Sequence, residues 1–199
     1  TGEEKTRSGF VTRWYEVFCV EQCEDYEAPE VKDENLSVTP ESDMMQNFYG
    51  YVDSQQSLTL SRQGSRAFYR LNGDFIRLPN HGDFETQLGE VMTAMHEAVH
   101  STGHPTRAER NLQSKFGSPE YAFEELVAEL GSLIVTLSLG GEFNPYVLAE
   151  EHANSQAYLK IWLDACKNQD NALDKAFTQA QAAADFILNN CSIEEEAIE

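Results

Sequence analysis

Two histidines and a glutamate form the segment of this sequence best suited to chemistry. His96, Glu97 and His100 stand in the pattern HExxH. On an α-helix, side chains four residues apart share one face, so the two imidazoles can converge on one ion. Glu97 lies about 100° further round the helix, too far to be an easy ligand but close enough to take a proton from an activated water. The pattern therefore predicts a metal site with Glu97 as its general base.

The donors expected at this site suit Zn²⁺, although Mn²⁺ or another divalent transition metal can use the same nitrogens and oxygens. A catalytic site also needs a third protein ligand and one open position for water. A second predicted helix, capped by Ser118 with Pro119 at its first position, carries three acids that could supply that ligand, Glu124, Glu125 and Glu129. We expect Glu125 to be the third metal ligand.

The other two acids and a third histidine have different expected roles. Glu129 lies four residues after Glu125 and on the same face, where it either hydrogen-bonds the second nitrogen of a ligand imidazole or is an ordinary surface carboxylate. Glu124 is rotated by about 100° from Glu125 and is expected to be a solvated acid in the first helical turn. His104 directly follows Gly103, which should end the first helix. Three roles stay open for His104: metal ligand, substrate contact or structural loop residue.

Hydrolysis of a carbonyl also needs a hydrogen-bond donor to the oxyanion that develops in the transition state. Four residues are candidates for this donor: His104, Tyr121, Arg107 and Tyr158. The sequence alone does not rank them, so the choice depends on which of them the fold brings to the metal site.

A small sheet and several helices must position these residues. Alternating apolar residues predict a strand over 13–20, a strand over 58–60 and a hairpin over 67–78 that turns at Asn72-Gly73. Apolar residues at helical spacing predict helices over about 40–53, 83–102, 118–139, 154–166 and 171–189. Asp83 is the expected N-cap of the helix that carries HExxH. The predicted fold class is α+β, with a small antiparallel sheet followed by a mostly helical part.

The composition argues against several classes of function. The chain has 199 residues, with 14 Lys and Arg against 34 Asp and Glu, and a net charge of −20. Such a chain should repel the phosphates of DNA and of anionic membranes. It has neither an apolar run of about 20 residues nor the apolar stretch of a signal peptide near its start, so no membrane association and a cytoplasmic location are expected. Its four cysteines are expected to be reduced thiols.

Two segments resemble the metallopeptidase-like domain of ArdC-type antirestriction proteins, which belongs to the polyvalent-protein metallopeptidase family. They are His-Glu-Ala-Val-His-Ser-Thr-Gly-His over 96–104 and Tyr-Ala-Phe-Glu-Glu-Leu-Val-Ala-Glu-Leu-Gly over 121–131. Residues 17–22 and 180–188 are similar to the family's flanking segments. The resemblance implies a zincin of the gluzincin type: a zinc metallopeptidase in which Glu125 completes the metal site and a peptide or protein is the substrate. The loop over 107–110 reads Arg-Ala-Glu-Arg where the family usually has Arg-Leu-Asn-Arg.

The same resemblance implies a domain organisation. Residues 1–37 are expected to be the end of an upstream, single-stranded-DNA-binding-like domain plus an acidic connector, 38–190 the zincin-like domain and 191–199 an acidic tail. Most of the upstream domain is expected to be missing from this sequence. Such proteins occur on conjugative plasmids and phages, and are implied to protect incoming DNA from restriction in the bacterial cytoplasm. Two alternatives stay open: a non-catalytic, metal-bearing domain of a protein that shields single-stranded DNA, and mimicry of DNA by an acidic surface.

Overall fold

The computed structural model describes residues 41–140, 162, 164 and 171–191. All of them fall within the second of the two units into which the chain divides, residues 37–199. The strand predicted over 13–20, most of the helix predicted over 154–166, Tyr158 and residues 192–199 of the predicted tail lie outside the described residues. The predicted division into domains therefore stays a prediction.

Three short strands form one mixed sheet. In chain order they are β1 (Thr59–Arg62), β2 (Phe68–Arg70) and β3 (Phe75–Leu78). β2 and β3 form the predicted antiparallel hairpin, with Tyr69 paired to Ile76, whereas β1 runs parallel to β3, with Leu60 paired to Ile76. The prediction of a wholly antiparallel sheet is therefore wrong for β1. Strand β3 takes the central place because its Ile76 and Leu78 side chains are fully buried, and the alternation along the chain does not show that order.

The first helix, α1 (Glu41–Ser54), packs against α2 (Gln87–Thr102). Its residues Met44, Phe48 and Tyr51 are at most 1% exposed. The Tyr51 hydroxyl lies 2.8 Å from Ser101 Oγ in the last turn of α2. This contact holds the end of α2, directly after His100, against the core.

Helix α2 begins later than predicted. Thr86 is its N-cap, and the Thr86 hydroxyl accepts a hydrogen bond from Gly89 N at 2.9 Å. Asp83, the predicted N-cap, instead ends a short 3₁₀ helix, His81–Asp83, where its carboxylate accepts a hydrogen bond from Asn80 N at 3.2 Å. The prediction failed because Asp and Thr are both good N-caps; Thr86 caps α2, whereas Asp83 completes the capping box of the 3₁₀ helix that begins after Asn80.

One face of α2 lies in the core of the protein. Its apolar side chains are fully buried: Val91, Ala94, Met95, Ala98 and Val99. His96 and His100 lie on the other, partly exposed side of the helix. No helix among the described residues is long and apolar enough to cross a bilayer.

Two further helices pack with α2: α3 (Pro119–Ser138) and α4 (Ala172–Asn190). Ser118 caps α3 as predicted, by accepting a hydrogen bond from Tyr121 N at 3.2 Å. Helix α3 approaches α2 closely at Gly131, where an added Cβ would lie 2.9 Å from Val99 Cγ2. Because α2 carries both histidines and α3 carries Glu125, this close approach sets the distance between them.

Candidate metal centre

Three side chains from two helices converge on one point. Nitrogen atoms of His96 and His100 and a carboxylate oxygen of Glu125 all lie within 4.8 Å of one another. The two Nε2 atoms are 3.2 Å apart. Glu125 Oε2 is 3.5 Å from His96 Nε2, and Glu125 Oε1 is 3.8 Å from His100 Nε2.

These spacings fit a tetrahedral metal ion. Ligand atoms at about 2.0–2.1 Å from a tetrahedral zinc ion are roughly 3.3–3.4 Å from one another. The 3.2 Å between the two Nε2 atoms lies close to that value, and each Nε2 has a different oxygen of Glu125 at 3.5 or 3.8 Å. Two imidazoles and one carboxylate are also a ligand set of catalytic zinc sites, in which the fourth position stays open. The donors of this protein therefore fit a divalent metal.

A second pair of acids contacts the outer nitrogens of the histidines. Glu129 Oε2 lies 3.2 Å from His96 Nδ1, and Glu124 Oε1 lies 3.2 Å from His100 Nδ1. A carboxylate at Nδ1 accepts a hydrogen bond from Nδ1–H, and in that tautomer the Nε2 lone pair is free for a metal. The expectation that Glu124 is a solvated acid is wrong, because Glu124 is only 7% exposed.

Glu124 is buried because Arg110, in the loop after α2, neutralises it. Arg110 Nε donates to Glu124 Oε2 at 3.0 Å, and Arg110 Nη2 donates to Glu124 Oε1 at 2.8 Å. The same guanidinium donates to Val99 O at 2.7 Å and to Thr102 Oγ1 at 2.6 Å in the last turn of α2. The pattern of α3 alone gives no sign of this partner. The presence of a second arginine, Arg110, after the HExxH helix was the only feature of the sequence that could have indicated this ion pair.

Buried carboxylates alter the protonation of both imidazoles. Burial by itself lowers the pKa of His96, but hydrogen bonds to Glu125 and Glu129 outweigh it and raise that pKa to about 10. Burial also lowers the pKa of His100, and the Glu124 and Glu125 carboxylates raise it to about 9. Burial raises the pKa of Glu125, but hydrogen bonds from the two histidines hold it below its usual range. The excess of negative charge favours a bound cation.

One carboxylate oxygen of Glu97 is buried without a hydrogen-bond partner among the described residues. The residue is 7% exposed, and its Oε2 has no hydrogen-bond partner among the described residues. An uncompensated buried carboxylate oxygen is costly, which indicates that a water or ligand is its missing partner. Glu97 lines the same cavities as His96, so that partner lies beside the metal donors.

Comparison with known proteins identifies the family. Residues 51–180 match the family model of the zincin-like metallopeptidases, MPTase-PolyVal. The match covers more than half of the chain and includes all three metal donors. The chain belongs to this family. The family membership predicted from the sequence is thus confirmed.

Two curated relatives of this zincin-like chain are longer than the chain itself. DNA primase TraC of Escherichia coli is 40% identical over 123 residues, which are 62% of this chain and 11% of the primase. The uncharacterized protein y4eC of Sinorhizobium fredii (strain NBRC 101917 / NGR234) is 30% identical over 177 residues, which are 88% of this chain and 53% of that protein. The chain therefore spans about half or less of the length of these relatives.

Two crystal structures of the antirestriction protein ArdC from plasmid R388 share the fold. The Mn(II)-bound structure is 32% identical with a TM-score of 0.59, and the match covers 77% of this chain and 54% of that one. The metal-free structure is 33% identical with a TM-score of 0.56, and the match covers 78% of this chain and 52% of that one. A relative of this zincin-like domain thus binds a divalent metal.

The metal donors of the zincin-like domain lie where two cavities meet. One cavity of about 330 Å³ extends towards β2 and the loop after α2, and one of about 630 Å³ extends along α2 and α3. Both are lined by His96, Glu97, Tyr121 and Glu125. His96, Glu97 and Glu125 therefore face a cleft that extends in both directions.

Among the candidate oxyanion donors, Tyr121 lies at the cleft. Its hydroxyl interacts with the Glu125 carboxylate, and its ring packs on Phe116 and Trp162 with centroid distances of 5.0 and 5.6 Å. Burial and the Glu125 carboxylate raise the pKa of Tyr121 well above its ordinary value, so that it keeps its proton. Tyr121 is therefore a protonated hydroxyl at the wall of the cleft.

Two other candidates have their side chains engaged elsewhere. His104 Nδ1 lies 2.8 Å from Thr106 Oγ1 and accepts a hydrogen bond from Thr106 N at 3.2 Å, in the loop after α2. His104 lines neither cavity of the cleft and is not part of the metal-donor group found among the described residues. Arg107 forms a buried ion pair with Asp74 and donates to Ser101 O at 2.7 Å. Both side chains thus contact the loop after α2 and its neighbours, and their proposed contacts with a substrate stay predictions.

Proposed function

We propose that this zincin-like domain is a zinc-dependent metallopeptidase that cleaves a peptide or protein. The observation that carries the proposal is the convergence of three metal donors within 4.8 Å beside the buried, unpaired carboxylate oxygen of Glu97. We assign His96, His100 and Glu125 as the protein ligands of the ion. Zn²⁺ is the proposed ion because the donor set and its spacing suit it, although Mn²⁺ accepts the same donors and is bound by ArdC.

Each side chain around the metal site has a separate proposed role in hydrolysis. When bound, zinc supplies Lewis acidity, which polarises the peptide carbonyl and lowers the pKa of the attacking water. Glu97 takes the proton that this water loses as it attacks the carbonyl carbon, and passes it to the leaving amine. Tyr121 donates a hydrogen bond to the developing oxyanion by turning its hydroxyl from the Glu125 carboxylate towards the cleft. The two acids at the histidine Nδ1 atoms, Glu124 and Glu129, keep both Nε2 lone pairs directed at the ion.

The free edge of β2 is the proposed binding site for the peptide backbone. Among the described residues, β2 is an edge strand of the sheet. Residues Ala67, Tyr69 and Leu71 line the cavity that also contains His96 and Glu97. An extended peptide can add to such an edge as a further strand through main-chain hydrogen bonds. The scissile bond then lies at the metal donors.

The biological role that we propose is antirestriction in the bacterial cytoplasm. Its support is the 32% identity to the antirestriction protein ArdC over 77% of this chain. Contact with single-stranded DNA is assigned to an upstream domain that ends within residues 1–37, because a net charge of −20 disfavours phosphate binding. The alternative is that the metal site is not catalytic and that the upstream domain alone shields the DNA.

Glu97→Gln separates these two functions. The amide keeps the size of the side chain but cannot accept the proton, so we expect hydrolysis to fall by about 10²- to 10⁴-fold while zinc content stays the same. Cleavage of a peptide library is measured by mass spectrometry, with Glu120→Gln, an exposed acid at the start of α3, as the control. Wild-type cleavage by Glu97→Gln would refute the peptidase. Unchanged protection of DNA in cells by this variant would favour shielding.

A further inference from the structure

The outer face of the sheet carries a cluster of two arginines and two phenylalanines, defined as Phe68, Arg70, Phe75 and Arg77. The two rings meet edge to face with their centroids 5.8 Å apart. Arg70 Cζ lies 5.4 Å from the Phe68 centroid and 5.2 Å from the Phe75 centroid. Arg77 Cζ lies 5.0 and 6.0 Å from the same two centroids. Contact with the rings holds both guanidinium groups in place.

The two arginines of this cluster have no carboxylate partner among the described residues. Arg62, Arg107 and Arg110, in contrast, each form an ion pair. Arg70 is exposed at the edge strand, so its guanidinium is accessible to a partner outside the chain. A cation–π contact uses the face of a guanidinium and not its N–H groups, and the N–H groups of the exposed Arg70 fit a carboxylate. The cluster is therefore suited to an anionic partner.

The cluster also lies at the edge where the peptide is proposed to bind. Phe68 and Arg70 are on edge strand β2, and Tyr69 between them faces inward, opposite the fully buried Ile76. A peptide added to this edge places every second side chain on the outer face of the sheet. Those side chains become cross-strand neighbours of Phe68 and Arg70.

We propose that the substrate is an acidic peptide segment, in which an Asp or Glu on the outer face pairs with Arg70. This inference rests on the proposed function, because it takes the peptide to lie along β2. A carboxylate is favoured over a nucleic acid because base stacking needs open ring faces, whereas Arg70 and Arg77 already cover the rings of Phe68 and Phe75.

The test is binding of labelled peptides to the zinc-loaded Glu97→Gln protein, in which cleavage is blocked. Three extended peptides that differ only in carrying Glu, Gln or Lys at alternate positions are compared by fluorescence anisotropy. We expect the Glu peptide to bind about two- to fivefold more tightly than the Gln peptide, as a cross-strand ion pair allows, and the Lys peptide to bind most weakly. Adding Arg70→Gln should abolish the preference, whereas Lys175→Gln, which removes an exposed charge from α4, should preserve it.

Each outcome decides the inference. Equal affinity for the Glu and Gln peptides, or a preference that survives Arg70→Gln, overturns it. Arg70-dependent binding of a thymidine oligonucleotide that displaces the Glu peptide also overturns it, in favour of a nucleic acid. The proposed function is judged separately by cleavage with the wild-type protein. Cleavage without a preference for acidic peptides supports the peptidase and overturns the inference. An Arg70-dependent preference for acidic peptides without cleavage overturns the peptidase but supports Arg70 as a binding site for acidic peptides.

Discussion

Replacement of Arg110 by Gln tests how the metal ligands are held in place. The change removes both hydrogen bonds to Glu124 and leaves a carboxylate that is 7% exposed, with His100 as its one remaining partner in the described part of the chain. Loss of one member of a buried ion pair costs about 3–5 kcal/mol of folding free energy. Loss of support for a ligand histidine typically lowers metal affinity about 10- to 100-fold. We expect Arg110→Gln to show both effects.

The assay must separate metal affinity from general destabilisation. Zinc affinity is measured by competition with a chromophoric chelator, and stability by urea unfolding of the metal-free protein. Arg107→Gln is the matched control, because the Arg107 and Arg110 side chains are 3% and 7% exposed and each pairs with a buried acid. Arg107 contacts Asp74 rather than a carboxylate at the histidines. Its loss should destabilise the protein similarly but change zinc affinity less than about twofold.

A double-mutant cycle completes the test. In a Glu124→Gln background, Arg110→Gln should have little further effect on zinc affinity, because its influence on His100 passes through Glu124. Equal losses of zinc affinity in Arg107→Gln and Arg110→Gln would refute the reasoning, since the effect would then follow from stability alone.

Four further predictions concern the ligand, the helix contact and the loop. Glu125→Gln should lower zinc affinity about 10- to 100-fold or more in the same chelator assay, and full retention would move the ligand assignment to another residue. Gly131→Ala should cost about 1–3 kcal/mol in urea unfolding, because the methyl would press on Val99. Glu109→Asn should stabilise the protein by up to about 1 kcal/mol in urea unfolding, because Glu109 has φ 49°, which Asn tolerates better. Asp74→Asn should cost about 3–5 kcal/mol, seen as a lower midpoint of thermal unfolding.

Much of the metal centre could be predicted from sequence because helical spacing is local. The HExxH pattern fixes the relative direction of His96 and His100 within one helix, whatever surrounds it. The position of Glu125 needs only one more helix that packs at the HExxH face, and the apolar pattern of α3 supplies it. The cap of α3 at Ser118 is local in the same sense.

The errors concern contacts between elements that are distant in sequence. Glu124 was expected in solvent because its position on α3 does not indicate an ion pair with Arg110. Arg110 lies in the loop after α2, outside α3 itself. The parallel pairing of β1 with β3 depends on which strand is most deeply buried. The apolar pattern of each strand is compatible with either direction of pairing, so the sequence does not predict it. The start of α2 depends on whether Asp83 or Thr86 is its N-cap. Asp83 belongs to the preceding 3₁₀ helix, so Thr86 caps α2.

The loop over 107–110 links the metal ligands to the proposed substrate edge. Arg107 binds Asp74, in the turn that joins β2 to β3, and Arg110 binds Glu124, which contacts His100. Both arginines also donate to backbone carbonyls of α2. The resemblance places Asn between these arginines where this chain has Glu109, and the positive φ of that residue explains why Asn suits the position. The departure therefore changes the backbone strain of the loop and leaves its two contacts intact, so that the hairpin and the metal-bearing helices keep their relative position.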